Sequence, residues 1–203
     1  MAHEAGVQSH LRITAPEPWV ARFAPLVRPG GGVLDVACGG GRHARMFLER
    51  GHSATLIDRD VGAVLDLAGH PLAEVMEFDL EQGSTWPLPD RTFAAVVVVN
   101  YLHRPLFPYL IQALADGGVL IYDTFARGNE RFNRPRNPDH LLKAGELLDA
   151  VRGVVGVHVV AYEHGIAVDA SCPGVKQRIC AVISRTPTPR PDGEPEPQPL
   201  QPR

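Results

Sequence analysis

The stretch that most constrains this chain is Val33-Leu34-Asp35-Val36-Ala37-Cys38-Gly39-Gly40-Gly41-Arg42-His43-Ala44. An apolar run carries an acid near its end, breaks into three glycines, and restarts with residues that can form a helix. That order predicts a strand, a tight turn and a helix N-terminus, the opening of a nucleotide-binding α/β unit. Glycines there permit positive φ and a close approach to bare backbone, and the helix start offers unpaired N–H groups.

The acid bears on which ligand the loop receives. Gly39-Gly40-Gly41-Arg42-His43-Ala44 fits the dinucleotide pattern G-x-G-x-x-G/A, so NAD is a candidate. A carboxylate at Asp35, four residues before the first glycine, would however lie near the doubly anionic pyrophosphate and repel it. S-adenosylmethionine has no phosphate and carries an ammonium and a sulfonium, which suit a carboxylate at the strand mouth. The alternative is that Asp35 braces the loop.

On these residues the stretch resembles the first motif of the class I S-adenosylmethionine-dependent methyltransferases, a strand ending D-x-x-x-G-x-G. Asp35, Gly39 and Gly41 match, while Ala37 stands where many members have another glycine. Small tellurite-resistance-type enzymes are the branch it loosely resembles. The resemblance runs from about Val33 to Ser184 and implies an α/β fold. Its sheet would be doubly wound and Rossmann-like, with about seven strands, mostly parallel with an antiparallel closing hairpin, and helices on both faces.

The rest of the chain supports that order. Residues 1–32 read as an N-terminal helical segment or lid, with a short helix near Trp19 to Ala24 ended by Pro25, Pro29 and Gly30 to Gly32. Residues 33–185 read as the cofactor-binding domain. Within it, Arg42 to Arg50 is a crossover helix and Ser53 to Asp58 a second strand that again ends in an acid. Val61 to Ala68 is a brief helix and Val75 to Phe78 a short third strand. Phe93 to Val99 is strongly β-branched and predicts a central strand buried on both faces. Leu106 to Ala115 has helical spacing, and Asp116-Gly117-Gly118 turns into a fifth strand, Val119 to Phe125. Leu141 to Val151 reads as a helix, and Val154 to Ala161 with Val175 to Ser184 as a hairpin. Seven prolines in the 18 residues from Thr186 onward predict a disordered or extended tail over 186–203.

Composition narrows the classes. The 203 residues suffice for one domain with a full core, and the net charge of −3 draws the chain to neither nucleic acid nor membrane. The longest apolar run, Phe93 to Val99, is seven residues, against the roughly 20 of a spanning helix. No basic leader precedes an apolar run, so a cytoplasmic location is expected. Cys38, Cys172 and Cys180 lack metal-ligand spacing, so no metal is expected; Cys38 reads as small filler in the loop.

Asp58 lies 17 residues beyond Gly41, where an acid reaches ribose hydroxyls in nucleotide-binding folds. Arg59 beside it joins the candidate set, against the reading of a solvated side chain. The resemblance implies that Asp35 and the loop of Ala37, Cys38, Gly39 and Gly41 hold the methionine moiety. It further assigns Asp58 to the ribose, Asp79 with Leu80 to the adenine, and Asn100 to the sulfonium region. His103 is the first candidate for a general base, since histidine titrates near neutrality, and Tyr101 lines the pocket or packs. Asn100-Tyr101-Leu102-His103 is not the asparagine/aspartate-Pro-Pro-Tyr motif that grips a planar amino nitrogen. Arg127, Arg131, Arg134 and Arg136 suggest an anionic acceptor, or a solvated loop with local ion pairs to Glu130 and Asp139. The expected function is methyl transfer from S-adenosylmethionine, yielding S-adenosylhomocysteine, to a small anionic molecule. An RNA-modifying methyltransferase, an NAD(P)-dependent oxidoreductase and a non-catalytic S-adenosylmethionine-binding protein remain alternatives. The subunit count stays open.

Overall fold

Every residue of the β-branched run Phe93–Val99 is buried, and it forms the central strand β4. The structure, a computed structural model, describes residues 13–82, 86–132, 134–186 and 190–200. Among these, the other strands are β1 (Val33–Val36), β2 (Ala54–Asp58), β3 (Ala73–Glu77), β5 (Leu114–Phe125), β6 (Val157–Ala167) and β7 (Gly174–Ile183). They form one sheet in the order β3-β2-β1-β4-β5-β7-β6. β1 to β5 are parallel, β7 is antiparallel to β5, and β6 is antiparallel to β7. The chain order reverses between β1 and β4, which opens a crevice at their C-terminal ends, where open α/β sheets bind ligands.

Alternation along the strands divides the core into two layers. On one face Val33, Ala95, Val97, Val119, Ile121 and Cys180 pack against the helices α1 (Pro18–Phe23) and α2 (Arg42–Glu49). On the other, Leu34, Val96, Val98, Leu120, Tyr122 and Ile179 meet α3 (Phe107–Gln112) and α4 (Glu146–Val151). Trp19, Val20 and Phe23 of α1 are buried in the first layer, so this short helix is part of the core. Its proline sits in the first turn, where no helical N–H is lost.

Several boundaries differ from the sequence reading, each for a local reason. β5 starts at Leu114 and carries Asp116-Gly117-Gly118 within it. Gly117 takes φ +71°, and the register against β4 shifts between Phe93 and Ala95, so the expected turn is absorbed as a bulge. A Cβ at Gly118 would stand 2.7 Å from the Ala115 carbonyl oxygen. The expected helix from Leu141 begins only at Glu146, because Leu142 is bridged to Ala126 and Gly145 turns the chain at φ +78°. The segment after β2 is a 3-10 helix, Gly62–Leu67. β6 runs to Ala167, beyond the expected strand end at Ala161. Among the described residues no helix is long and apolar enough to cross a membrane.

Replacing Phe23 by alanine removes a fully buried ring from the first layer. It should lower the unfolding free energy by about 3–5 kcal/mol with an unchanged denaturant slope, measured by equilibrium urea unfolding.

Candidate active site

The turn after β1 is held in left-handed backbone at Ala37 (φ 53°), Gly39 (φ 52°) and Gly41 (φ 68°). Alanine tolerates that region poorly, at a cost of about 1–2 kcal/mol, so Ala37 is held there by its surroundings. Gly41 serves packing. A Cβ there would lie 2.7 Å from Val64 Cγ1 and 3.1 Å from Leu56 Cδ2, so its absence lets α2 start close against the sheet.

The acids at the strand ends hold this turn. Asp35 is buried; its Oδ2 accepts the Ala44 N–H at 3.0 Å, while its Oδ1 has no hydrogen-bond partner. Burial pushes its carboxyl up to about 7, opposed by the Ala44 bond and by Arg42. His43 is held down to about 3, by burial first and then by Arg42 and Lys176. It is therefore neutral, and its 3.9 Å approach to Asp35 is not an ion pair. Its Nε2 accepts the Glu17 N–H at 3.3 Å. Asp58 Oδ2 accepts the Gly39 N–H at 2.8 Å and Oδ1 that of Asp60 at 3.1 Å, tying the second strand tip to the glycine loop. Asp79 Oδ1 accepts the Glu81 N–H at 2.9 Å. Burial and a hydrogen bond to Glu81 push the Tyr101 phenol well above its ordinary range. Burial does the same to the Cys38 thiol, which is therefore not a nucleophile at neutral pH.

These groups line a cavity of about 610 Å³. Of the sequence candidates it brings together Asp35, Ala37, Cys38, Gly39, Asp58, Arg59, Asp79, Leu80, Asn100 and Tyr101. Gly41 lies behind the wall, and His103 is not among the lining residues. Nor do Arg127, Arg131, Arg134 or Arg136 line it; all four are exposed. Their segment reaches the cavity through His140. Arg104 holds that end of the segment, donating to the Asp139 carbonyl at 2.6 Å, the Leu141 carbonyl at 3.0 Å and Glu146 at 2.5 Å. The sequence reading missed Arg42, His43, Asp60, Phe78 and Glu81. The last three adjoin chosen residues, and the first two follow the glycines directly. Of the N-terminal segment, Ile13 lines the cavity and residues 1–12 lie outside the described residues.

Behind the cavity lies a buried charge network with no counterpart in the sequence reading. Lys176 Nζ on β7 donates to Asn100 Oδ1 at 2.7 Å and to Asp123 Oδ1 on β5 at 2.5 Å. Asp123 also stands 2.8 Å from Arg178 Nε, close but misaligned for a hydrogen bond. Arg178 continues to Asp169 at 3.0 Å and Glu17 at 3.7 Å, and Glu17 accepts from the Ser171 hydroxyl at 2.8 Å. Lys176 and Arg178, flanking Gln177 ahead of the apolar run Ile179 to Ile183, were the available signal. Among the described residues no group of three or more His, Cys, Asp or Glu side chains is placed to hold a metal ion.

Comparison with known proteins agrees with this geometry. Residues 33–118 match the model of a methyltransferase domain family. Over 108 residues the chain is 34% identical to a malonyl-[acyl-carrier protein] O-methyltransferase from Serratia marcescens, covering 50% of this chain and 41% of that relative. The chain thus spans less than half the length of this curated relative. The fold is shared with TehB from Haemophilus influenzae (TM-score 0.66, 14% identity, 85% of this chain and 64% of that one). It is shared too with the 1,6-didemethyltoxoflavin-N1-methyltransferase of Burkholderia thailandensis, solved with its acceptor and S-adenosylhomocysteine (TM-score 0.60, 17% identity, 86% of this chain and 78% of that one). Fold and loop define a Rossmann-like α/β protein. Within that class, residues 33–118 are similar to the methyltransferase domain family.

Burial raises the Asp35 carboxyl from the ordinary 3.8 to about 7, so folding takes up a proton there. Stability from this group is fully present below the lower value and lost as pH rises through the upper one. Asp35→Asn, which keeps an oxygen for Ala44, should therefore melt above wild type at about pH 8, with the gap closing as pH falls well below 7. Thermal melts across pH check this.

Proposed function

We propose that the protein binds S-adenosylmethionine in this cavity and transfers its methyl group to a small, anionic acceptor. The observation that carries the reading is the sign of the cavity. Asp35, Asp58, Asp60, Asp79 and Glu81 line it, against Arg42 and Arg59. Arg42 is moreover committed to the Ala15 carbonyl at 3.1 Å and to Ser171 at 2.7 Å. A pyrophosphate would meet repulsion at the loop, whereas a ligand with an ammonium and a sulfonium meets attraction. The partnerless Oδ1 of Asp35 fits the same group, since a buried acceptor without a donor is costly until a cation reaches it.

Bound there, S-adenosylmethionine supplies a methyl group already activated on sulfonium, so the chain's part is chiefly placement. Asp35 and the backbone at Ala37, Cys38 and Gly39 would receive the methionine end, and Gly41 would set the turn. Asp58 would receive the ribose, Asp79 with Leu80 the adenine, and Arg59 would border the same end. Asn100 and Tyr101 form the adjoining wall, and His103 stands behind Tyr101 in sequence as the candidate base for acceptors that need one. Of the segment before Val33, the part at Ile13 would act as a lid over residues 33–185, which its place in the cavity lining supports, while α1 belongs to the core. Residues 186–203 form the tail. Arg127, Arg131, Arg134 and Arg136 would meet an anionic acceptor from the exposed segment that ends at His140. One named relative is an O-methyltransferase and one an N-methyltransferase, so their names do not choose the accepting atom.

Calorimetry with S-adenosylhomocysteine and with NADH tests the reading; binding of NADH alone overturns it. Asp58→Ala should weaken S-adenosylhomocysteine by about tenfold or more through loss of a charged contact. Affinity should also rise with pH through 7, because Asp35 gives up its proton to meet the ammonium, visible as buffer-dependent heat. Arg131→Ala combined with Arg134→Ala should leave that affinity intact and raise the KM for the acceptor. Binding of RNA that falls steeply with salt would favour the RNA-modifying alternative.

A further inference from the structure

Asn100 occupies an unusual place. It ends β4 in left-handed backbone, φ 57°, which asparagine tolerates better than most residues. Its backbone N–H donates to the Asp123 carbonyl at 2.8 Å, fixing the main chain. The tip of β4 lies beside that of β1, Val98 pairing with Val36, so Asn100 borders the Asp35 end of the cavity.

The side-chain amide has two chemically different ends, and the network decides which one faces the cavity. Lys176 Nζ lies 2.7 Å from the amide. An ammonium only donates, so the atom it meets must be the carbonyl oxygen Oδ1. Lys176 is itself 1% exposed and held by Asp123, so it cannot swing away to release the amide. The Nδ2 end is left over. Among the described residues it has no protein partner, and Asn100 is half-buried in the cavity wall. The wall thus presents N–H donors and no side-chain acceptor at this point.

We propose that Lys176 is a positioning residue that locks the Asn100 amide with its NH2 group toward the cavity, so that the protein selects an acceptor whose reacting end is oxygen, a carboxylate, over an amine. The inference rests on the methyltransferase reading of the site. A carboxylate only accepts, so one of its oxygens takes the Asn100 N–H bond while the other is free to react. A reacting amine must aim its single lone pair at the methyl carbon, so only its N–H groups are left to face the Asn100 donor, and neither finds a partner. In the transfer, the carboxylate oxygen forms a C–O bond to the methyl carbon as the C–S bond breaks. The electron pair stays on sulfur as a neutral thioether, the product is a neutral ester, and no proton moves. The lysine charge behind the amide adds attraction for the anion and repulsion for an ammonium.

The test uses the full chain saturated with S-adenosylhomocysteine, with benzoate and malonate as carboxylate probes and benzylamine as the amine. At least one carboxylate should bind roughly tenfold or more tightly than the amine, and it should shift the Asn100 side-chain NH2 resonances. Asn100→Asp keeps an oxygen for Lys176 but removes the donor; with the variant again saturated with S-adenosylhomocysteine, it should abolish that preference. Lys176→Met, with Asp123 still paired to Arg178, frees the amide to turn and should lower the carboxylate-to-amine ratio. Equal or tighter binding of the amine, or no response to either carboxylate, overturns the proposal. So does a Lys176→Met variant that weakens both probes equally, the mark of a merely structural lysine. Failure of wild type to bind S-adenosylhomocysteine would instead sink the cofactor reading itself.

Discussion

The site depends on one carboxylate with two differently used oxygens. Asp35 Oδ2 takes the Ala44 N–H near the start of α2, which leaves the helix anchored to the tip of β1. The glycine turn between them is then fixed from both sides, since Asp58 takes the Gly39 N–H from the neighbouring strand. Bracing the loop and receiving a ligand are therefore not alternatives for Asp35. One oxygen performs the first, and the other, buried without a donor, is free for the second. The unfavourable burial that raises its carboxyl to about 7 would be relieved by an arriving cation, so on the proposed reading part of that ligand's affinity is prepared by the fold.

The same face of the sheet carries a continuous polar seam at the C-terminal strand ends. Asp123 pairs in register with Arg178, and Phe125 with Lys176, whose ammonium lies 4.7 Å from that ring's centre. Glu17, Asp123, Lys176 and Arg178 are all buried, an arrangement that tolerates no missing member: removing one partner of a buried pair costs about 3–5 kcal/mol. Such a seam is weak as a source of net stability, because desolvation offsets most of its attraction. Its consequence is fixed geometry. The wall behind Asn100 cannot relax in small steps, and α1, which delivers Glu17 from its N-cap, is tied to the wall through the same charges.

The strands were legible because burial on both faces leaves a plain record: Phe93–Val99 is apolar throughout. Asp35, Asp58 and Asp79 stood out for the same reason, since a carboxylate at a strand tip interrupts an apolar pattern, whereas Asp60 and Glu81, in the loops beyond, did not. What the sequence hid is what depends on two distant segments meeting. Lys176 and Arg178 lie in the segment read only as part of a closing hairpin, yet β7 is inserted between β5 and β6 and both its faces are covered. Once the strand is internal, those charges must be buried and paired. The arginine segment misled in the opposite way. Its composition is informative about charge but not about direction, and the chain sends His140 to the cavity while the guanidiniums stay outside.

That placement also orders the binding steps. An acidic cavity repels an anionic acceptor as long as its carboxylates are uncompensated, and the exposed arginines at its margin act through water, where a charge pair at 4 Å is worth only about 1 kcal/mol. On the proposed reading, filling the cavity with a cationic donor would change the sign beside Asp35 and Asn100. An anionic acceptor would then meet a positive sulfonium ahead, a fixed N–H donor at the wall and the lysine charge behind it. Attraction that exists only after the donor is seated would make donor-first binding a consequence of electrostatics, with no moving part required to enforce it.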